Sequence, residues 1–258
     1  MTLSDKQKIE LFRKFFHGRT DIYARRWEKD GKSGYSPAYE FNWEEFMAHK
    51  RRGGSFKDFQ NKRLLPLTEV VIKKHLIGQE VIGIYPILPN NESYFLAADF
   101  DVEHWKTEAI AFIDMCAKTE LTAYLERSRS GNGGHVWIFF SEPYPCYRSR
   151  QIGFEFLRRT FNISEFEKEV SFDRLFPNQD TLPQGGFGNL IALPFQGRSV
   201  VEGNTLFLDL AADKPFPDQW KFLKEAKRHS TQEMDALYQG LFERRAYLLP
   251  QTIKVNNT

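Results

Sequence analysis

The stretch that decides the fold runs from Tyr94 to Phe140. It begins with an apolar run that ends in two carboxylates, Tyr94-Phe-Leu-Ala-Ala-Asp99-Phe-Asp101, and closes with a glycine-rich turn that leads into an apolar strand, Ser128-Arg-Ser-Gly-Asn-Gly-Gly-His135-Val-Trp-Ile-Phe-Phe140. Residues i and i+2 of a strand lie on the same face, so Asp99 and Asp101 are predicted to project side by side. Two adjacent carboxylates repel each other, and a divalent cation with oxygen ligands would relieve that repulsion.

An isolated Asp-x-Asp is more often the end of a strand with two solvated acids. Three features favour a metal site here. The run before Asp99 is apolar on both faces, as in a central strand. A glycine-rich turn leading into His135 follows it, and a further acidic motif, Ser171-Phe-Asp173-Arg-Leu-Phe-Pro-Asn-Gln179, comes later in the chain.

The composition is that of an ordinary soluble protein. Of the 258 residues, 41% are hydrophobic and 27% charged, and no apolar run approaches the roughly 20 residues that a membrane helix needs. The polar N-terminus does not have the pattern of a signal peptide. Cys116 and Cys146 can form at most one bridge, which excludes a disulfide framework and a four-cysteine zinc site. We therefore expect a cytoplasmic protein with no membrane partner.

The net charge of +2 hides an uneven distribution. Residues 1–90 carry 17 Lys and Arg against 11 Asp and Glu, whereas residues 91–258 carry 19 against 23. A basic half suits a polyanionic partner such as nucleic acid, although solvated surface charge would give the same counts.

Basic and aromatic side chains alternate within residues 17–65. Single-stranded nucleic acid needs aromatic faces for stacking and cations for its phosphates. The residues predicted to bind it are Arg25, Arg26, Trp27, Trp43, Arg51 and Arg52. The competing interpretation is a small aromatic core with a solvated charged shell.

Hydrophobic periodicity and turn residues predict the remaining elements. The predicted helices are Ser4–Phe16, Pro66–Leu76, Trp105–Lys118, Arg148–Phe161, Pro217–Lys227 and Thr231–Glu243. The predicted strands are Val81–Tyr85, Tyr94–Asp101, Ala123–Arg127, His135–Phe140, Asn189–Pro194 and Thr205–Leu208. Strand, helix and then a hairpin that carries the histidine match the βαββ part of an RRM-like unit.

The motifs together resemble the catalytic core of the archaeo-eukaryotic primase superfamily. Its first motif is a paired acid, its second a small residue-x-His, and its third an apolar residue before an Asp; here these are Asp99-Phe-Asp101, Gly133-Gly-His135 and Phe172-Asp173. The nearest branch is the primase-polymerases of TOTE conflict systems and their CRISPR-associated relatives. Further segments that fit are Gly83-Ile-Tyr-Pro-Ile-Leu88, Gly185-Gly-Phe-Gly-Asn-Leu-Ile-Ala-Leu-Pro194 and Gly203-Asn204. Each motif alone is weak, but their order and spacing are specific.

The resemblance implies an α+β fold. An N-terminal α/β module, residues 1–90, would pack on an RRM-like catalytic module with C-terminal helices, residues 91–250, and residues 251–258 would form a flexible tail. The two modules would form one compact unit with the active site in the cleft between them.

The resemblance also implies the site residues. Asp99 and Asp101 would be bridging ligands of two Mg²⁺ or Mn²⁺ ions, with Asp173 as third ligand and Asp180 as its rival. The residues predicted to bind the nucleoside triphosphate are Arg129, Ser130, Asn132, Gly133, Gly134, His135 and Arg198. The competing interpretations are that His135 is structural and that Arg198 is a solvated loop charge. A glycine-rich turn can aim backbone N–H groups at phosphate, and arginine binds phosphate through two nitrogens.

The chain departs from the family pattern in two places. The superfamily pattern prefers Ser two residues before the His, where this chain has Gly133. Relatives often carry a cysteine cluster in the N-terminal segment, and this chain has none there, so no structural zinc is expected.

The predicted function is that of a DNA or RNA primase-polymerase. It would transfer nucleotides from triphosphates onto a strand paired with a single-stranded DNA template, and it would start primers de novo. Other domains and CRISPR or conflict-system proteins are possible partners. The alternatives are a gap-filling repair polymerase, a metal-dependent nuclease and a non-catalytic single-stranded nucleic-acid-binding module. The residues leave the choice between deoxy- and ribonucleotides open.

Overall fold

The structure is a computed structural model and describes residues 3–161 and 171–243. The strands are β1 (Ala24–Lys29), β2 (Lys32–Pro37), β3 (Tyr39–Phe41), β4 (Lys62–Leu64), β5 (Ile82–Ile84), β6 (Glu92–Asp101), β7 (Tyr124–Arg127), β8 (Gly133–Pro145), β9 (Phe172–Phe176), β10 (Ile191–Ala192), β11 (Leu208–Asp209) and β12 (Lys214–Pro215). The helices are α1 (Asp5–Phe15), α2 (Trp43–Arg51), α3 (Glu69–Leu76), α4 (Trp105–Ala117), α5 (Cys146–Phe161), α6 (Gly197–Val201), α7 (Gln219–Glu225) and α8 (Thr231–Tyr238), and α8 continues as a π-helical turn, Gln239–Glu243.

One antiparallel sheet carries both acidic motifs and the histidine. Its strand order is β7-β8-β6-β9, and α4 and α5 lie between its strands in the chain order β6-α4-β7-β8-α5-β9. This is the βαββαβ arrangement of an RRM-like unit, so the predicted α+β fold with an RRM-like module is confirmed. We call this the RRM-like sheet.

The two faces of the RRM-like sheet pack in different cores, because side chains alternate along a strand. On β6, Leu96, Ala98 and Phe100 pack with residues of α4 and α5. Phe95 and Ala97 pack on the other side, in a core that includes residues of α1 and β5. Both faces of the strand are therefore buried, as its continuous apolar run predicts.

A second four-stranded sheet has the order β10-β5-β1-β2, and we call it the N-terminal sheet. Its neighbouring strands are antiparallel. Three of the strands come from the first 90 residues, but β10 comes from beyond the RRM-like sheet and pairs with β5. The domain boundary predicted between residues 90 and 91 stays a prediction. The N-terminal sheet contains strands from both sides of that position.

The hairpin of β1 and β2 was not among the predicted elements, although its signal is in the sequence. The strands are joined by Asp30 and Gly31, whose φ angles are +51° and +71°. Positive φ at both central residues is what a two-residue hairpin turn requires, and Asp-Gly is a preferred pair for it.

Residues 39–64 form a small unit around a cluster of aromatic rings. β3 pairs with β4, and α2 lies between them in the chain. Phe41 contacts Phe46, Phe56 and Phe59 with ring centroids 5.2 to 6.3 Å apart. The interpretation as a small aromatic core therefore holds for these phenylalanines.

Most other predicted elements differ from the observed ones by a few residues. α1 begins as predicted after Ser4, whose side chain forms a capping box with Gln7. The predicted strand Thr205–Leu208 is displaced, since β11 covers only Leu208–Asp209. Thr205 has a φ of +55°, which interrupts an extended strand at that point.

Within residues 3–161 and 171–243, the helices are too short or too polar to cross a membrane. Cys116 and Cys146 are both buried free thiols. The predicted tail, residues 251–258, lies outside the described residues.

Candidate active site

The acid pair lies at the C-terminal end of β6, where the strand passes from buried residues to the exposed Asp101. Asp99 is opposite His135 on β8, and Asp101 is opposite Gly133. Directly opposed residues share a face of the sheet, so both carboxylates and the imidazole lie on the face that packs toward the N-terminal sheet. Only 14% of the Asp99 side chain and 11% of the His135 side chain are exposed.

The third predicted ligand comes from the opposite neighbour of β6. On β9, Arg174 lies opposite Asp99, but Phe172 lies opposite Phe100, so the register shifts at Asp173. An extra residue of this kind bends the strand and re-aims a side chain, and such bulges are frequent beside active sites. Asp173 is close enough to Asp99 for its negative charge to raise the pKa of Asp99. The Asp173 carboxylate accepts a hydrogen bond from Nε of Arg174 at 2.5 Å.

His135 is held by a residue that we had not predicted. Its Nδ1 lies 2.5 Å from Oε2 of Glu126, which is on β7 directly opposite it. Glu126 is only 2% exposed, and its Oε2 also accepts a 3.4 Å hydrogen bond from the indole of Trp137. The other imidazole nitrogen, Nε2, lies 3.5 Å from Oδ1 of Asp99. Glu126 therefore fixes the ring so that Nε2 faces the acid pair.

The electrostatics of the site combine burial with close charges. Burial raises the pKa of Asp99 to about 6; His135 and Arg174 oppose this rise, and Asp101 and Asp173 add to it. Burial lowers the pKa of His135, but the carboxylates of Glu126 and Asp99 more than offset this, so the net pKa is raised. The histidine is thus cationic at neutral pH and donates from both nitrogens.

The glycines before His135 are needed for space. A Cβ at Gly133 would lie 2.2 Å from Oδ1 of Asp101, and one at Gly134 would lie 2.4 Å from the ring of Trp105. A serine at residue 133 would have to displace the Asp101 carboxylate and would also approach the Phe100 carbonyl to 2.7 Å.

The glycine-rich turn, residues 128–133, uses part of its hydrogen-bonding capacity internally. The amide of Gly131 donates to the carbonyl of Ser128 at 3.1 Å, and the amide of Asn132 donates to Oγ of Ser130 at 3.3 Å. Phosphate binding by this turn stays a prediction, and these two amides would have to leave their present acceptors to take part in it.

The segment that carries Arg198 borders the turn. Arg198 is exposed on α6, whose first amides are capped by the side chain of Gln196. At the other end of the segment, Nδ2 of Asn204 donates to the carbonyl of Arg129 at 3.3 Å. The nucleotide-binding role of Arg198 stays a prediction.

The carboxylates suit a hard divalent cation, although their present positions do not form a complete set of metal ligands. Among the described residues, no group of three or more His, Cys, Asp or Glu side chains is arranged to hold a metal ion. Burial is the main cause of the raised pKa of Asp99, and the neighbouring carboxylates of Asp101 and Asp173 add to it; a bound cation would favour the ionised form of all three. Oxygen ligands from carboxylates are those that Mg²⁺ and Mn²⁺ prefer. The residues present thus fit such ions, provided that Asp173 turns from Arg174 toward them.

Asp180, the rival third ligand, lies elsewhere. Its carboxylate pairs with Arg150 on α5, and its side chain is 58% exposed. The neighbourhood therefore favours Asp173 over Asp180.

The residues predicted to bind nucleic acid lie on two elements of the N-terminal half. Arg25, Arg26 and Trp27 are on β1, and Arg51 ends α2. Trp27 is 43% exposed and Trp43 is 63% exposed, unlike the packed phenylalanines beside them. Nucleic-acid binding by these residues stays a prediction.

Comparison with known proteins places this geometry in a family. Residues 7–237 match the family described as "TOTE conflict system, Archaeo-Eukaryotic Primase domain". Among solved structures, the polymerase domain of ligase D from Mycobacterium tuberculosis, in complex with DNA, is similar with a TM-score of 0.42 and 13% identity, over 93% of this chain and 89% of that one. Among curated proteins, none matches the chain.

Proposed function

The chain belongs to the archaeo-eukaryotic primase domain family of TOTE conflict systems, and we propose that it is a primase-polymerase that adds nucleotides to a strand paired with a single-stranded DNA template. The observation that carries this proposal is the convergence of Asp99, Asp101, Asp173 and a cationic His135 at one end of the RRM-like sheet. Three carboxylates and a buried cation at one end of the sheet suit the transfer of a phosphoryl group between two oxygens.

Each residue has a distinct role in this proposal. Asp99, Asp101 and Asp173 would hold two Mg²⁺ or Mn²⁺ ions, which would neutralise charge on the attacking 3′-oxygen and the leaving pyrophosphate. His135 faces the acid pair with Nε2 and donates a hydrogen bond to the triphosphate. Arg198 supplies a further cation for the same group, and arginine is suited to it because its nitrogens bind phosphate in pairs.

The proposal includes the start of new primers. Two free nucleotides must then be held where a polymerase ordinarily holds one nucleotide and a paired primer end. The basic, aromatic N-terminal half is the proposed contact with the template, because residues 1–90 carry the excess of Lys and Arg. We also propose a cytoplasmic setting, which suits two buried free thiols, and conflict-system proteins as partners, in keeping with the family's description.

The test is a reaction with single-stranded DNA, labelled triphosphates and Mg²⁺ or Mn²⁺, run with and without a primer and with deoxy- or ribonucleotides. Product in unprimed reactions is expected from the wild type and not from Asp101→Asn. Extension without any unprimed product would instead identify a gap-filling polymerase. Shortening of the labelled strand, with no incorporation, would identify a nuclease.

Template binding has its own test. Each phosphate contact with single-stranded DNA lowers the slope of log affinity against log salt by about 0.7, so replacing Arg51 and Arg52 together with Ala should flatten that slope by about 1.4. Triphosphate binding should stay unchanged in this double variant. An unchanged slope would remove the end of α2 from the template path.

A further inference from the structure

An open groove lies between the β1-β2 hairpin and the aromatic unit of residues 39–64. It encloses about 720 Å³, within the range of ordinary ligand sites. Its lining residues are Arg25, Arg26, Trp27, Glu28, Lys29, Ser36, Pro37, Ala38, Tyr39, Phe41, Trp43, Phe46 and Phe56. None of the residues of the candidate active site lines it, so it is a separate site.

Two indole rings in this groove are supported from behind and open toward solvent. Trp43 is 63% exposed, yet its ring contacts Phe41 and Phe46 at centroid distances of 6.2 and 5.9 Å. Trp27 is 43% exposed and lies over Gly34, where a Cβ would come within 3.0 Å of the indole. Large aromatic faces that are fixed and exposed are what a base needs for stacking.

The charge around the groove selects an anionic occupant. Arg25, Arg26 and Lys29 line it; the single lining carboxylate, Glu28, pairs with Arg26 at 3.0 Å, and Arg25, whose side chain is 43% exposed, lies 3.4 Å from Glu80. The lining residues keep a net positive charge after these pairs are counted. A chain that alternates flat bases with phosphates uses both this charge and the two indole rings.

We infer that this groove binds unpaired bases of the single-stranded template, which stack on Trp27 and Trp43 while Arg25 and Lys29, on the same face of β1 as Trp27, contact the adjoining phosphates. This inference rests on the proposed function, since the strand it places is the template. It assigns the groove to bases that have not yet been copied.

The experiment measures binding of the full chain to a fluorescein-labelled 20-mer of deoxythymidine over a range of NaCl concentrations. Trp27→Ala and Trp43→Ala should each weaken binding about 5- to 150-fold, the range expected for the loss of one stacked base. The slope of log affinity against log salt should not change, because no phosphate contact is lost. Trp43→Phe, which keeps a flat ring, should recover most of the affinity.

The matched control is Tyr147→Ala. Tyr147 is 41% exposed, close to the 43% of Trp27, but it lies on α5 and does not line the groove. This variant should bind the 20-mer like the wild type. A second measurement needs no variant: the wild type should bind the 20-mer more tightly than a sugar-phosphate strand of equal length without bases.

Two results would overturn the inference. One is wild-type affinity in Trp27→Ala and Trp43→Ala variants that keep the wild-type melting temperature; the other is equal affinity of the wild type for the two strands. Extension of a primer annealed to a saturating template separates the two proposals. If Asp101→Asn extends as well as the wild type, the proposed function fails whatever the groove binds.

Discussion

Two buried histidines of this protein lie in opposite surroundings. His135 sits between the carboxylates of Glu126 and Asp99 at the open end of the RRM-like sheet. His75, on α3, is fully buried; its Nε2 donates to the carbonyl of Pro194 at 2.8 Å and its Nδ1 accepts from the amide of Ile82 at 3.3 Å.

The difference shows in their protonation. Burial lowers the pKa of His75 to about 4, because its hydrogen bonds go to backbone groups that do not compensate for losing water. Burial also disfavours the charged form of His135, but carboxylates on two sides raise its pKa. The neutral His75 joins α3, β5 and the segment at Pro194 through hydrogen bonds, whereas His135 places a positive charge at the proposed active site. Burial alone therefore does not identify a structural histidine; its partners do.

The largest expected effect comes from breaking the charged region. Asp101→Ala should lower the rate of nucleotide incorporation by more than about 100-fold, because the proposed ions lose a ligand on which charge neutralisation in the transition state depends. Asp99→Ala and Asp173→Ala should act similarly. Single-turnover incorporation at saturating Mn²⁺ measures the loss, and circular dichroism shows whether the variants are folded.

Asp180→Ala is the control for this series, since that carboxylate pairs with Arg150 instead. It should keep near-normal incorporation. A normal rate for Asp173→Ala together with a lost rate for Asp180→Ala would show that the third ligand has been misassigned.

The second effect concerns the neutral His75 and appears in the free energy of unfolding. The unfolded chain binds a proton at His75 with a pKa near 6.5, but the folded chain does so only near 4. The stability that His75 contributes is therefore fully present above pH 6.5 and is lost as the pH falls toward 4, by about 3 kcal/mol in all. Urea unfolding of the wild type and of His75→Gln at pH 7.5 and 4.5 measures this contribution as a difference of differences.

Gln keeps a donor and an acceptor but does not titrate, so the pH dependence of unfolding should be weaker in His75→Gln than in the wild type. An identical dependence in the two proteins would mean that His75 is not held neutral. The sign for His135 is opposite, because its raised pKa gives stability that is lost at high pH.

The third effect tests the connection between His135 and its partner. Glu126→Gln keeps the size of the side chain and removes its charge, so the imidazole loses the carboxylate that favours its cationic form. Incorporation should fall by about 10- to 100-fold, as is usual when the partner of a site residue is lost. The decline of the rate with increasing pH should also begin at a lower pH than in the wild type.

Glu142→Gln is a suitable control for Glu126→Gln, because Glu142 lies on the same β8 strand as His135 but pairs at the surface with Thr231. A rate and a pH profile unchanged in Glu126→Gln would mean that Glu126 does not control the protonation of His135.

The smallest effect concerns the segment that His75 anchors. Pro194 precedes α6, and Arg198 on that helix packs against Gly78, where a Cβ would lie 2.8 Å from its Cγ. Arg198→Ala should raise the apparent KM for triphosphate about 10-fold and lower kcat less, in line with the loss of one charge-assisted hydrogen bond. Glu202→Gln, on the same turn, serves as the control. Steady-state constants equal to the wild type would remove Arg198 from the site.

The RRM-like sheet could be predicted because its information is local. The apolar run before Asp99, the helical spacing between Trp105 and Lys118, and the turn before His135 each lie within 14 residues. The acid pair and the histidine follow from alternation along β6 and β8, which are neighbours in the RRM-like strand order although α4 and β7 separate them in the chain. The family resemblance added Asp173, whose position at a bulge no periodicity indicates.

Other features depend on strand register and tertiary packing. Glu126 lies only nine residues before His135, but it looks like any acidic residue in Leu-Glu-Arg, and its importance comes from the register that sets it opposite His135. The groove unites β1 with an aromatic unit that begins at residue 39. The turn at Asp30 and Gly31 does not depend on such packing, since the Asp-Gly pair is itself a local signal for a hairpin.

The return of β10 to the N-terminal sheet has a consequence for how the chain is made. When the first 90 residues leave the ribosome, β5 has its pairing with β1 but lacks the partner that arrives about a hundred residues later. Until then one edge of the sheet carries unpaired amide and carbonyl groups, the kind of surface that recruits strands from other chains. At a synthesis rate of 5 to 20 residues per second this exposure lasts on the order of 5 to 20 seconds. Truncations that stop before Ile191 should therefore aggregate where the full chain does not, and slower translation of that stretch should lengthen the period of risk.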